Sequence, residues 1–265
     1  MPASSGLSAR NAASPDAGPP LGTASDPNAP IAPRDGGPDC DRCENRRWVL
    51  DAHGELKPCP KCGVAQRWRM DALRAFSSRS ELSTQQTLFN FKTSFAGAEI
   101  ESLGNCLEAA QDFAESPDGR WLVIWGTRGN GKSHLCAAVD NHLQAAGTPS
   151  LFVTMSDLLA SLKEAFDLQS NTEQETYSGR LRQFKTAPVL ILDDLGAESS
   201  SAFSQGIVFE ILDYRYRNRL ATMIVTNVPL NAFDPRVASR MQDSSFCTVI
   251  ENTAPDFRAR PVAER

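Results

Sequence analysis

The octapeptide Gly126-Thr127-Arg128-Gly129-Asn130-Gly131-Lys132-Ser133 constrains the fold more than any other stretch of the chain. It has the spacing G-x-x-x-x-G-K-[ST], and it stands between an apolar run at 121–125 and a segment of helical period that begins at Lys132. Glycines at 126, 129 and 131 permit a tight turn that aims backbone N–H groups inward, where the positive end of the following helix adds to their pull on phosphate oxygens. A strand, such a loop and a helix in that order form part of a βα unit, and from Leu88 onward the chain keeps alternating in this way. Further strands are predicted at 151–155, 189–192, 222–226 and 246–250. A helix is predicted over 132–146, closed by Gly147, and Ser156 reads as the N-cap of another. Phe203, Ile207 and Ile211 give the segment 200–219 one apolar face. The expected class is α/β, a three-layer core around a five-stranded parallel sheet.

The loop implies partners elsewhere in the sequence. Lys132 supplies a point charge for β and γ phosphates, and the Ser133 hydroxyl suits magnesium. An acidic residue is also needed at the end of a neighbouring buried strand, and Val189-Leu190-Ile191-Leu192-Asp193-Asp194 offers two. Burying adjacent carboxylates there costs free energy unless something cationic compensates. Asp193 is the candidate magnesium-side residue, and Asp194 the candidate for positioning or activating a water; a helix or turn cap is the alternative for Asp194. Thr226-Asn227 ends the fourth strand, which makes Asn227 a candidate sensor of the γ-phosphate or the lytic water, although Asn also starts turns. Arg236 and Arg240 are four apart and share one face of a helix. They are either a solvated face or a source of an arginine finger for the nucleotide of a neighbouring subunit.

A second constellation precedes this core. Cys40-x2-Cys43 is followed after 15 residues by Cys59-x2-Cys62, within the spacing range of four-thiolate zinc sites. Residues 48–50 read as a strand and 51–54 as a turn of a small ribbon, with His53 in the turn. So short a module lacks a self-sufficient core, whereas structural zinc contributes on the order of 10 to 16 kcal/mol. A dithiol redox pair and an iron–sulfur cluster are the competing assignments. Between 39 and 79 there are nine Arg or Lys against six Asp or Glu, with Trp48 and Trp68 nearby, a composition that suits single-stranded nucleic acid and a docking protein equally. The remaining cysteines, Cys106, Cys136 and Cys247, show no paired spacing and are expected as small core residues.

Residues 1–37 lack aromatics and are dense in Pro, Ala, Gly and Ser, which predicts a disordered tail. The expected division is 1–37 tail, 38–69 zinc-ribbon module, 70–86 linker and 87–260 ATPase domain. The net charge of −5 gives no global attraction for nucleic acid. No run of about 18 apolar residues is present to cross a bilayer, and the start lacks the pattern of a secretory signal, so a reducing cytoplasm is the expected location.

Taken together, GTRGNGKSHL, VLILDDLGAE, IVTNVPL and RVASRM resemble the AAA+ ATPase core of the DnaC/DnaI-type replicative helicase loaders, a superfamily that includes transposition helper ATPases of the IstB type. The likeness spans about 85–260. It implies that Gly126, Thr127, Arg128, Gly129, Asn130, Gly131, Lys132, Ser133, His134 and Asp193 bind ATP. It also implies Walker B roles for Asp193 and Asp194, with Ser133 and Asp193 on magnesium. Asn227 takes the place of sensor 1, Arg240 that of the arginine finger, and Arg236 that of an accessory arginine. Leu88-Phe89-Asn90-Phe91 is similar to the stretch that contacts the base in these loaders, and Pro255-Asp256-Phe257-Arg258 looks like their ending. By the same resemblance the partners are a replicative helicase, single-stranded DNA and further copies of the chain through a composite ATP site. The alternative functions are an IstB-like transposition helper ATPase and, from another class, a non-hydrolysing, ATP-dependent adaptor. The resemblance also departs from the AAA+ pattern at Asp194, where many such proteins have Glu.

Overall fold

The computed structural model describes residues 42, 48–50, 56–58, 77–78, 80–167, 176–196 and 201–259. Two short strands, β1 (Trp48–Leu50) and β2 (Leu56–Pro58), pair antiparallel with Trp48 opposite Pro58. Cys40, Cys43, Cys59 and Cys62 lie outside the described residues, as does the tail 1–37.

The core begins with a one-turn helix α1 (Glu81–Thr84) and a small hairpin, β3 (Ser94–Phe95) with β4 (Ala98–Glu99). There follow α2 (Glu101–Glu115), β5 (Trp121–Gly126), α3 (Lys132–Ala145), β6 (Ser150–Thr154), α4 (Met155–Asp167), α5 (Tyr177–Thr186), β7 (Val189–Leu195), α6 (Ala202–Arg217), β8 (Ala221–Thr226), α7 (Pro235–Met241) and β9 (Cys247–Asn252). The expected five-stranded parallel sheet is present, in the order β6-β7-β8-β5-β9. Alternation along each strand sends side chains to opposite faces and so divides the core in two. Trp121, Val123, Leu151, Val153, Leu190, Leu192 and Ile224 pack with α4, α5, α6 and α7 on one face. Leu122, Ile124, Phe152, Val189, Ile191, Met223 and Val225 pack with α2 and α3 on the other. Cys106 and Cys136 are fully buried in this second layer, whereas Cys247 is half-buried and donates its S–H to the Arg240 carbonyl.

Three local details depart from the sequence expectations. The N-cap of α4 is not Ser156, which lies inside the helix; Thr154, the last residue of β6, accepts the Asp157 N–H on its hydroxyl. In α6 the buried stripe runs through Ser204, Ile207, Val208, Ile211, Leu212 and Arg215. At ~100° per residue Phe203 lies about 110° from the middle of that stripe, and it is 57% exposed. The segment 77–86, linker-like by composition, lies against the core. Ser77 Oγ and Ser78 N–H donate to the Phe152 carbonyl, Thr154 N–H donates to Ser78 Oγ, and Asn141 Nδ2 donates to the carbonyls of Ser83 and Gln86. These contacts cover the edge of β6, which otherwise presents unpaired backbone groups.

Arg215 stands in the middle of the buried α6 stripe with no exposed surface. Its Nε donates to Thr222 Oγ1 (2.9 Å), Nη2 to the Ala221 carbonyl (2.5 Å), and Nη1 lies within 2.8–3.2 Å of the carbonyls of Phe184, Lys185 and Ala187. One guanidinium thus joins the end of α5 to the start of β8. Burial draws its pKa down to about 9, still above neutrality, so it holds these acceptors as a cation. Replacing it by methionine leaves five acceptors without their donor. Arg215→Met should lower unfolding stability by about 3 to 5 kcal/mol in urea titration; a loss under about 1 kcal/mol would show that water or repacking satisfies them.

Candidate functional site

The sheet order explains how residues far apart in sequence meet. Strand β8 lies between β5 and β7, so the loop after β5, the end of β7 and the end of β8 share one rim at the C-terminal ends of the strands. Ligands of open α/β sheets bind at such rims.

The loop is built from both sides. Gly126 has φ 148°, and a Cβ there would lie 2.1 Å from the Asn252 carbonyl oxygen. Only glycine lets the loop leave β5 while β9 runs so close. At Gly129, φ 73°, a Cβ would collide with the Asp256 carboxylate. The end of β9 and the segment after it close over the loop: Asn130 Nδ2 donates to the Asn252 carbonyl and Asn252 Nδ2 to the Asn130 carbonyl, both at 3.0 Å. Thr127 Oγ1 donates to the Ala254 carbonyl, and the Phe257 N–H donates to the Gly129 carbonyl at 2.9 Å. From the N-terminal side Phe91 packs its ring against Gly131 and edge-on to His134, whose Nε2 lies 3.0 Å from the Thr87 carbonyl. Phe89 is 99% exposed and Arg128 is exposed at the tip of the loop.

Lys132 begins α3 and is buried, its ammonium curled back into the loop. Nζ donates to the carbonyls of Gly126 (3.0 Å) and Thr127 (2.5 Å) and to Asn130 Oδ1 (2.8 Å). Burial lowers its pKa to about 8, against the opposing pull of the Asp193 and Asp194 carboxylates. The three N–H donors of the ammonium therefore already sit on oxygen, and phosphate oxygens would replace these acceptors.

The end of β7 is irregular where the carboxylates stand. Leu192 pairs with Ile224 but Leu195 with Thr226, so β7 has one residue more than β8 between these pairs, and Asp194 adopts a left-handed conformation, φ 58°. The bulge breaks the alternation that would send consecutive side chains to opposite faces, and both carboxylates engage the site. Asp193, buried, accepts the Ser133 hydroxyl at 3.2 Å, while Asp194 accepts Asn227 Nδ2 at 2.5 Å. Burial raises the Asp193 pKa, and the Ser133 hydrogen bond works against that shift. Thr226 fixes the neighbouring turn by donating its hydroxyl to the Leu195 carbonyl and accepting the Val228 N–H. A hydroxyl beside a carboxylate is an all-oxygen donor set of the kind magnesium takes, so Ser133 and Asp193 fit that ion.

The structure therefore brings Lys132, Ser133, Asp193, Asp194 and Asn227 together. It does not bring Arg236 and Arg240 to them: both lie on α7, where their contacts are with Asp234, with each other and with Phe209, Asp213 and Tyr216 of α6. Asp234, the N-cap of α7, accepts Arg236 N–H and pairs with its guanidinium, which rests 4.1 Å over the Phe209 ring. Sequence reasoning missed Asn252, Ala254 and Phe209. Nothing local marks them, since each acts through a partner distant in the chain.

The family model of the IstB-like ATP binding proteins matches residues 65–251. The chain belongs to this family. The Escherichia coli K12 protein named replicative helicase loader DnaC is 27% identical over 212 residues, which cover 74% of this chain and 84% of that one. Among solved structures, this IstB-like chain resembles the DnaI crystal structure with TM-score 0.52 and 25% identity over 68% of this chain and 94% of that one. The DnaC helicase loader crystal structure aligns with TM-score 0.54 and 23% identity over 65% and 99%, a likeness of fold. No helix among the described residues is long and apolar enough to cross a membrane.

Substituting Gly126 tests the loop's construction. Gly126→Ala should lose nucleotide binding and lower the thermal midpoint by several degrees, because the methyl group meets the β9 backbone. Unchanged nucleotide affinity by titration calorimetry would contradict this placement.

Proposed function

We propose that the chain is an ATP-hydrolysing loader that delivers a replicative helicase to single-stranded DNA, acting as an assembly whose ATP sites are completed by neighbouring copies. The observation that carries the ATPase part is the β7 bulge, where Asp193 meets Ser133 and Asp194 meets Asn227 beside the buried Lys132. Likeness to a protein named replicative helicase loader over 84% of that protein's length supports the loading part.

In this assignment Gly126 to Ser133 bind the triphosphate through backbone N–H groups, and Lys132 exchanges its three loop acceptors for β and γ phosphate oxygens. Ser133 and Asp193 would hold magnesium, which supplies charge neutralisation at the phosphates when bound. Asp194, oriented by Asn227, positions the attacking water and takes up its proton. Arg240, with Arg236 beside it, serves the nucleotide of the adjacent copy; their place on α7, away from their own loop, agrees with action between subunits. Thr127, Arg128 and Asn130 belong to the loop itself, and His134 follows it on α3. His134 touches Phe91 on the side proposed for the base.

In front of the core, Cys40, Cys43, Cys59 and Cys62 are proposed to bind zinc, and the antiparallel pair β1–β2 between the two cysteine pairs suits a ribbon. The module would dock the helicase. A Cys40→Ser, Cys43→Ser variant should lose stoichiometric zinc by metal analysis while the core still binds ATP; retention of one zinc per chain would refute the site.

Lys132→Ala should abolish nucleotide binding, whereas Asp194→Asn should still bind ATP and slow DNA-stimulated turnover by about 100-fold. Wild-type protein that hydrolyses no ATP with single-stranded DNA or a helicase present would leave the adaptor in place of the ATPase. The family to which the chain belongs gives a second reading, a transposition helper. Affinity purification with a non-hydrolysable ATP analogue separates the two: a co-eluting replicative helicase supports loading, and a transposase alone overturns it.

A further inference from the structure

Arg240, the proposed finger, is engaged inside its own subunit. Its Nη2 donates to Asp213 Oδ1 at 2.5 Å and its Nη1 to the Arg236 carbonyl at 2.7 Å, while Nε is buried without a partner. The guanidinium also lies 5.2 Å from the centre of the Phe209 ring and 5.3 Å from that of Tyr216, and its side chain is only 22% exposed. A group that is to meet a neighbour's phosphate is held here by an anion and an aromatic wall of α6.

Asp213 divides its hold. Oδ1 takes Arg240 and Oδ2 takes Arg217 of the same helix, each at 2.5 Å. Burial alone would raise the Asp213 pKa, but its bonds to Arg240 and Arg217 outweigh that and keep the carboxyl below the usual range. The carboxylate is therefore ionised at neutral pH and supplies the same kind of partner that the γ-phosphate of a neighbouring copy would supply. One guanidinium faces two rival anions.

We propose that Asp213 is a positioning residue that latches Arg240 in the unassembled subunit and competes with the neighbour's phosphate for it, with Arg217 weakening the latch by sharing the carboxylate. This rests on the assignment of Arg240 as the finger. The latch keeps the finger withdrawn in a free subunit, so hydrolysis waits for a neighbour whose phosphates offer the stronger anion.

Two substitutions move the latch in opposite directions. Asp213→Asn keeps an acceptor but removes its charge, and it should raise DNA-stimulated kcat about three- to tenfold, the scale of one charge-assisted hydrogen bond. Arg217 is 68% exposed, so Arg217→Ala should fold normally. It commits Asp213 to Arg240 and should lower kcat about two- to threefold. A merely structural role would lower kcat in both variants. Affinity for a fluorescent ATP analogue, measured on dilute unassembled protein, should stay at the wild-type value in both, since neither residue touches the loop. A fall or no change in kcat for Asp213→Asn, or a rise for Arg217→Ala, overturns the latch. Arg240→Ala, made in the wild-type and Asp213→Asn backgrounds, isolates the underlying assignment. If hydrolysis survives it in both, Arg240 is not the finger and the latch falls with it; if it abolishes hydrolysis while Asp213→Asn is not faster, the finger stands and only the latch fails.

Discussion

A buried ammonium facing two adjacent carboxylates is the constraint on which the rest of the site depends. Lys132, Asp193 and Asp194 are each expensive to remove from water, and none is tolerable without fixed partners. The structure provides them one by one: loop carbonyls and Asn130 for Lys132, the Ser133 hydroxyl for Asp193, the Asn227 amide for Asp194. The partners come from the loop after β5 and from the end of β8, and the carboxylates from β7, so the site exists only if these three strands are neighbours in the sheet. The left-handed turn at Asp194 follows from the same demand, because a regular strand would send one carboxylate away from the loop.

Two other groups hold that order in place. The reciprocal amide bonds between Asn130 and Asn252, with Gly126 pressed against the β9 backbone, tie the loop to the last strand of the sheet. On the opposite face of the sheet Arg215 binds the start of β8 to the end of α5. Asn130 connects the two purposes, since its amide oxygen accepts from Lys132 while its amide nitrogen donates to Asn252.

What the sequence disclosed was governed by locality. The glycine spacing, the apolar run ending in Asp193-Asp194 and the five strands each occupy a few consecutive residues, and the strands lie where periodicity puts them with their ends displaced by one to three residues: β7 runs on to Leu195, whereas β6 stops at Thr154 and β9 starts at Cys247. Arg215 reads as an interruption of an apolar face until its five acceptors, 6 to 31 residues away in the chain, are seen. Asp213 looks like half of an i,i+4 surface pair with Arg217, and only the fold brings Arg240 to its other oxygen. Ser156 failed as a cap because β6 and α4 adjoin directly, so the last strand residue took that role. Phe203 has the right spacing yet sits at the flank of the buried stripe, where three matching positions did not define its centre.

In the proposed assembly one subunit supplies Lys132 and Asp194 while its neighbour supplies Arg240. Mixing two inactive proteins, Lys132→Ala and Arg240→Ala, and measuring DNA-stimulated ATP hydrolysis tests it directly. If sites are shared between copies, random mixing in equal amounts restores intact sites from complementary halves, at about a quarter of the wild-type rate. A mixture no faster than either variant alone would contradict the composite site.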